Sequence, residues 1–250
     1  MEPFAGGAGL ALKLLYCHDV DRIILNDFDA SIYAFWLSCL NYTDEFCKKI
    51  FHCPLTMDEW HKQRYIYCHP EEFSVFELGF ATFYLNRCNV SGIIRGGPIG
   101  GVEQKGKYGL DARFNRSDLI KKIKKLQEYA DRIEIYNQDA VDFLNNLVDI
   151  HGHETDDFFL NIDPPYVNKG PMLYENSFDD QAHERLSQLI ADLPFKWIVT
   201  YDKCDLIYFL YQNYRKEIIT LNYSVGNSKH GQELLIYSNN IDLSILQTCN

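Results

Sequence analysis

The chain has 250 residues, of which 46% are hydrophobic and 14% aromatic, and its formal net charge is −11. That is enough apolar material for one substantial core or a core with a small insertion, and no apolar run reaches the roughly 18 residues of a membrane span. Eight scattered cysteines with no C-x-x-C pair, behind an N-terminus without a basic-then-apolar signal, argue against a disulfide framework or zinc ribbon and for a reducing, cytoplasmic setting.

The chain opens on Glu2-Pro3-Phe4-Ala5-Gly6-Gly7-Ala8-Gly9, followed by the apolar run Leu10 to Leu15. This reads as a glycine loop entering a helix, where a ligand can approach the backbone near helical N–H groups. Its spacing is neither the dinucleotide G-x-G-x-x-G nor a phosphate-binding loop. Ile23 to Asn26 reads as a short strand ending at Asp27-Phe28-Asp29, with a helix through Ala34 to Leu37 behind it. Asp27, about 20 residues past the glycines, is placed to hydrogen-bond ribose hydroxyls. Phe28 beside it can cover one face of an adenine, and Asp29 is the better helix cap.

From about Phe46 to Leu85 the pattern is helical. Gly92 to Gly109 then holds seven glycines and Pro98, a long loop of the kind that usually carries function. Between Asn86 and Lys125 ten basic residues face three acids, a local charge of +7 in an acidic chain. Such an island fits a surface that tracks phosphates, although the lysines from Lys121 to Lys125 fit a solvated helix face equally well. Ser117 to Tyr129 reads as a helix capped by Ser117.

The α/β alternation then resumes. Ile133 to Tyr136 is a strand, Ala140 to Val148 a helix, Phe158 to Ile162 a strand, Asp180 to Leu193 a helix and Trp197 to Thr200 a strand. Ile218 to Tyr223 and Glu233 to Tyr237 read as a closing hairpin around a polar loop. Asp139, at the end of its strand, can accept a hydrogen bond from an adenine amine while also capping the helix at Ala140. Asp163-Pro164-Pro165-Tyr166 follows the strand ending at Ile162, and open α/β sheets place their ligands at such a strand end. The carboxylate and a proline carbonyl can accept from an NH2 group, the prolines fix the backbone that aims them, and Tyr166 offers a stacking face. The spacing predicts one α/β domain, residues 1–45 and 128–250, interrupted by a helical, basic insertion over 46–127. The histidines, among them His52, His61, His69, His151 and His153, lack metal-ligand spacing, so no metal is expected.

In this order the motifs resemble the Dam-like class of DNA adenine-N6 methyltransferases. Phe4-Ala5-Gly6-Gly7-Ala8-Gly9 looks like their cofactor loop, Leu25-Asn26-Asp27-Phe28-Asp29 like their ribose-binding turn and Asp163-Pro164-Pro165-Tyr166 like their catalytic motif. Tyr84-Leu85-Asn86-Arg87 with Ser91-Gly92 and Arg95 is similar to the start of their target-recognition region. The resemblance implies a Rossmann-like methyltransferase sheet with an inserted helical target-recognition domain. It further implies S-adenosyl-L-methionine as cofactor, bound by Phe4, Ala5, Gly6, Gly7, Asp27, Phe28, Asp139 and Asp163. Asp163, Pro164 and Tyr166 would be catalytic, acting on an adenine flipped out of double-stranded DNA. Arg87, Arg95, Lys105, Lys107 and Arg113 would contact phosphates or base edges of that DNA, Asn86 would help order the DNA-binding loop, and a cognate restriction enzyme is a possible companion.

Two departures shape the expectation. Members of the family usually begin earlier, with a Gly-Gly-Lys segment that completes the cofactor pocket, so a truncated start or a reduced variant is expected. Cys88-Asn89-Val90-Ser91-Gly92 replaces the family's more aromatic version, so the recognised DNA sequence does not carry over. Two rival readings stay open: a methyltransferase acting on adenine or amides in RNA or protein, and an impaired relative that binds DNA without methylating it.

Overall fold

The computed structural model describes residues 1–153, 155–167, 178–223 and 229–241 of a mixed α/β chain. The chain divides into two compact units, one of residues 1–28 with 138–250 and the other of residues 29–137. The first unit begins with α1 (Gly9–Tyr16) and β1 (Ile23–Asn26). The second contributes α2 (Ala30–Asn41), α3 (Thr43–His52), α4 (Met57–Cys68), α5 (Val75–Cys88), α6 (Arg116–Gln127) and the short strand β2 (Ile133–Tyr136). The first unit resumes with α7 (Ala140–His151), β3 (Phe159–Ile162), α8 (Asp180–Asp192), β4 (Lys196–Asp202), α9 (Asp205–Leu210), β5 (Arg215–Tyr223) and β6 (Lys229–Tyr237).

Most of these elements match the sequence expectation to within a few residues, and the differences have local causes. The helical stretch expected from Phe46 to Leu85 is broken at two prolines. Pro54 follows the end of α3, and Pro70 opens a short 3-10 turn before α5. Neither ring can continue a helix, and each pushes the residue before it towards extended backbone. Helix α6 starts at Arg116 rather than behind Ser117. Asn115 is its cap, because the Asn115 side-chain oxygen Oδ1 accepts from the Asp118 N–H and from the Ser117 hydroxyl. Strand β6 begins at Lys229, four residues before the expected Glu233, and the rest of the polar loop expected inside the hairpin lies outside the described residues.

In the first unit β3 runs parallel to β4, with Ile162 opposite Val199. Strands β4 and β6 are antiparallel with Asp202 opposite Glu233, and β5 closes the edge against β6. The order is therefore β3-β4-β6-β5. The first two residues extend this sheet on the far side of β3. The Asn161 N–H donates to the Met1 carbonyl, and the Met1 amino group to the Phe159 carbonyl. On the other flank the Glu2 N–H donates to Ile24 and the Asn26 N–H returns to Glu2. Residues 1 and 2 thus act as a very short strand that carries the ladder from β3 to β1.

Alternation within the strands decides which side chains enter the core. Trp197, Val199 and Tyr201 of β4 are buried with Leu160 and Ile162 of β3 and Leu234 and Ile236 of β6. They pack with Phe143, Leu144 and Leu147 of α7 and Leu186 and Ile190 of α8, the apolar stripes of two amphipathic helices.

The second unit is helical. Phe46 of α3 sits among Phe35, Phe76, Phe80 and Phe83, each with ring centroids within 6.2 Å of it. Helix α5 starts at a capping box in which Ser74 and Glu77 each satisfy the other's backbone N–H. Its Gly79 faces the Ala34 carbonyl and the Ser38 hydroxyl of α2, so the two helices approach at a point where no side chain fits. Among the described residues no helix is long and apolar enough to cross a membrane.

Gly79→Ala is expected to force α2 and α5 apart and to cost about 1–3 kcal/mol by overpacking. Urea unfolding checks this against Gly97→Ala, where an added methyl group meets nothing within 4 Å and stability should hardly change.

Candidate functional site

The glycine loop gets its shape from β1. Ala5 donates its N–H to the Asn26 carbonyl, and Gly6 donates its N–H to Asp27 Oδ2 at 2.8 Å. Gly6 has φ +45°, a left-handed backbone that favours glycine, and Ala8 takes φ 47° at the start of α1. A Cβ placed on Gly6, Gly7 or Gly9 would meet nothing within 4 Å. Packing therefore does not require small residues there, and the loop leaves an open cradle above the first turn of α1.

Asn26 is the hub of this end of the sheet and is fully buried. Its amide donates to the Pro3 carbonyl at the start of the loop and to the Gln138 carbonyl, both at 3.0 Å. Its carbonyl oxygen accepts the Gln138 N–H at 3.0 Å. One side chain thus fastens the glycine loop, the Asp27 turn and the Gln138-Asp139 corner to one another. Its role as a hub carries no motif, although a polar residue ending an apolar strand beside a glycine loop is a usable signal. Asp139 caps α7 by accepting from the Val141 and Asp142 N–H groups through Oδ1. An open hollow of about 400 Å³ adjoins it, lined by Gln138, Asp139, Asp142, Asn145 and Asn146. Phe28, beside Asp27, is 53% exposed.

Glu2 connects the loop to β3. It is 4% exposed, and its Oε1 accepts both the Ala11 N–H of α1 and the Asn161 amide of β3. Burial pushes its carboxyl up, more than these two donors pull it down. Asn161 stands two residues before Asp163, so the first turn of α1 and the Asp163 loop share one anchor.

Asp163 lies just past the end of β3, and β4 holds its loop at two points. The Thr200 hydroxyl donates to Asp163 Oδ1 at 2.5 Å, and the Val167 N–H donates to Asp202 Oδ1 at 3.1 Å. Pro164 and Pro165 between these points are buried, and Tyr166 is half-buried. Asp163 is exposed at the surface, yet the protein on its inner side is dense enough to push its carboxyl up. Hydrogen bonds from Thr200 and Tyr166 lower it, and the Glu233 carboxylate adds to the rise. A line of rings runs behind the loop. Phe4 meets Phe178 edge-on at 5.8 Å, Phe178 lies 5.4 Å from His183, His183 lies 5.4 Å from Tyr201, and Tyr201 lies 6.3 Å from Tyr166. His183 Nδ1 and the Tyr201 hydroxyl are 2.9 Å apart, and burial lowers the His183 pKa. Phe4 therefore points its ring into packing, which leaves the loop's backbone as its polar face.

In the second unit the sequence-derived cations and amide divide into two groups. Asn86 donates to the Gly92 carbonyl at 2.8 Å and accepts from Arg87, and Arg113 donates to the carbonyls of Asn86 and Asn89 at 3.3 Å. These side chains build the loop from within. Arg95, Lys105 and Lys107 are exposed; Lys105 pairs with Glu103 at 2.6 Å, and Lys107 lies 5.5 Å from the Tyr108 ring. The centre of the loop is a residue outside the sequence-derived set. Buried Asn89 donates to the carbonyls of Ile93, Ile94 and Gly96 and accepts the Trp60 indole N–H at 2.7 Å. Arg64 adds bonds to the Ile94 and Arg95 carbonyls. Among the described residues no group of three or more His, Cys, Asp or Glu could hold a metal ion.

Compared with known proteins, residues 1–225 match the family model described as D12 class N6 adenine-specific DNA methyltransferase. No curated protein matches the chain.

Asn26→Ala removes two amide bonds and strands the Gln138 N–H, which should cost about 2–4 kcal/mol. Urea unfolding measures the loss, and amide hydrogen exchange should show faster exchange at Gly6 and Gln138 with little change in the second unit.

Proposed function

The chain belongs to the D12 class N6 adenine-specific DNA methyltransferases, and from that premise we propose how its own residues transfer a methyl group to adenine N6 in DNA. The observation that carries the proposal is the Asp163 loop, held at both ends by β4 with its two prolines buried. A target adenine is unreachable inside the stack, so it turns out of the duplex into this site. The Tyr166 ring stacks on the base. The Asp163 carboxylate and the Pro164 carbonyl accept the two N6 hydrogens, which draws the nitrogen lone pair out of the ring and aims it for attack. Because burial raises its proton affinity, Asp163 is also suited to take the proton that N6 releases. The groups are fixed before the base arrives, so little reorganisation opposes the step.

S-adenosyl-L-methionine supplies the electrophilic methyl group when bound. The open glycine cradle fits it, since nothing occupies the space above Gly6, Gly7 and Gly9. Backbone groups of Phe4, Ala5, Gly6 and Gly7 line that cradle. Asp27 is placed for ribose hydroxyls, the exposed Phe28 ring for one face of the adenine and Asp139 for its amine edge. The first unit then serves as the Rossmann-like catalytic sheet, and the helical region over 46–127 as the target-recognition part.

Binding to DNA draws on the exposed cations Arg95, Lys105 and Lys107, on a loop shaped by Asn86, Asn89 and Arg113. The aspartate at position 163 favours this reading over RNA or protein methylation. Enzymes of those two kinds typically carry asparagine there and lack a basic insertion.

Asp163→Ala should abolish methyl transfer to duplex DNA in a radiolabelled-methyl assay while leaving the circular dichroism spectrum intact, and wild-type turnover by that variant would refute the assignment. Replacing Lys105 and Lys107 together by alanine should weaken DNA binding and lower the slope of log affinity against log salt by about two. A titration in increasing salt reads that slope, and an unchanged value would remove both lysines from the DNA contact.

A further inference from the structure

Two carboxylates near Asp163 oppose its ionisation, and hydroxyl donors favour it. Glu233 faces it from β6, and Glu2 from the opening segment. Strand β4 presents Tyr201, a buried phenol that also senses the Asp163 charge, and Asp202, which holds the Val167 N–H of the same loop. Tyr166 comes from the loop itself. These neighbours are acids and phenols, and two of the groups around Asp163 donate hydrogen bonds to it: the hydroxyls of Thr200 and Tyr166. Tyr166 donates from within the loop, whereas Thr200 donates from a strand of the sheet.

The place of Thr200 is set by the sheet. The parallel register puts Ile162 opposite Val199, so the next residue outward on each strand brings Asp163 beside Thr200. The bond at 2.5 Å is short, as charge-assisted bonds between a hydroxyl and a carboxylate are. Alternation along β4 directs Thr200 and Asp202 to the same face, and both hold the catalytic loop.

We propose that Thr200 is the positioning residue of this methyltransferase: its hydroxyl fixes Asp163 Oδ1 and so turns Oδ2 towards the adenine amine. The proposal rests on the functional reading above and assigns to Thr200 no contact with substrate. The same bond stabilises the charged carboxylate against burial and against Glu233. Without it the folded-state pKa of Asp163 rises further, and the acid form persists to higher pH.

The test compares Thr200→Val, which keeps the volume, with Thr200→Ser, which keeps the hydroxyl. For Thr200→Val, kcat at neutral pH should fall about tenfold to a hundredfold, the effect of losing one charge-assisted hydrogen bond. The KM for DNA and the affinity for S-adenosyl-L-methionine should stay unchanged, and the acid limb of the kcat profile should move to higher pH. Thr200→Ser should restore both kcat and the profile. Wild-type kcat and profile in Thr200→Val would overturn the proposal, as would a serine variant as impaired as the valine one. Should valine unfold the chain, Thr200→Ala takes its place in the same comparison. Carbon-13 carboxyl NMR gives an arm independent of turnover: Asp163 should titrate at higher pH in Thr200→Val than in wild type, and an unchanged titration overturns the proposal. A wild type that transfers no methyl group to DNA defeats the functional reading instead, and the NMR comparison then decides the Thr200–Asp163 coupling by itself.

Discussion

The first unit depends on a very short piece of backbone. Residues 1 and 2 hydrogen-bond to β3 on one side and to β1 on the other, so two strands far apart in sequence end beside the same segment. Ligands of parallel sheets gather where strands end, because loops there can diverge without breaking a ladder. Pairing through residues 1 and 2 places the Asp27 turn, the glycine loop and the Asp163 loop at one such end. Glu2 adds a side-chain bond to the backbone pairing, holding Ala11 and Asn161 at once.

Polar groups with fixed partners, rather than apolar packing, define the detail of the site. Leu160, Ile162, Val199 and Ile236 give the sheet its stability, but apolar contacts are non-directional and would tolerate small shifts. Asn26, Glu2, Thr200 and Asp202 do not tolerate them. Each is tied through oxygen or nitrogen to a particular backbone or side-chain partner, and a partner left unmatched away from water is costly. The same device recurs in the second unit, where Asn89 gathers three carbonyls and an indole N–H to shape a loop without regular structure. A glycine-rich segment has too few side chains to pack itself, so a buried amide supplies its order.

The Asp163 carboxylate sits under opposing influences. Burial and Glu233 raise its proton affinity, while hydroxyl donors lower it. A group placed between these influences can both accept hydrogen bonds from an amine and receive a proton afterwards.

How much of this was legible beforehand depends on the kind of signal. Asp163-Pro164-Pro165-Tyr166, the glycine loop and the Asp27 turn stand out because their chemistry depends on local spacing, and the order of the motifs was enough to point to the family. Element types followed from apolar periodicity and from prolines, with errors at α6, where Asn115 rather than Ser117 proved to be the cap. Tertiary structure alone decided the partners: Thr200 with Asp163, Asp202 with Val167, Asn26 with Pro3 and Gln138, and Asn89 with the loop that follows it. A lone threonine or asparagine carries no period and no motif, since its role is set by which strand lies alongside. That choice belongs to strand register, a relation between residues such as Asp163 and Thr200 that lie 37 positions apart. The sequence by itself determined which chemistry the chain carries, and the fold decided which side chains hold that chemistry in place.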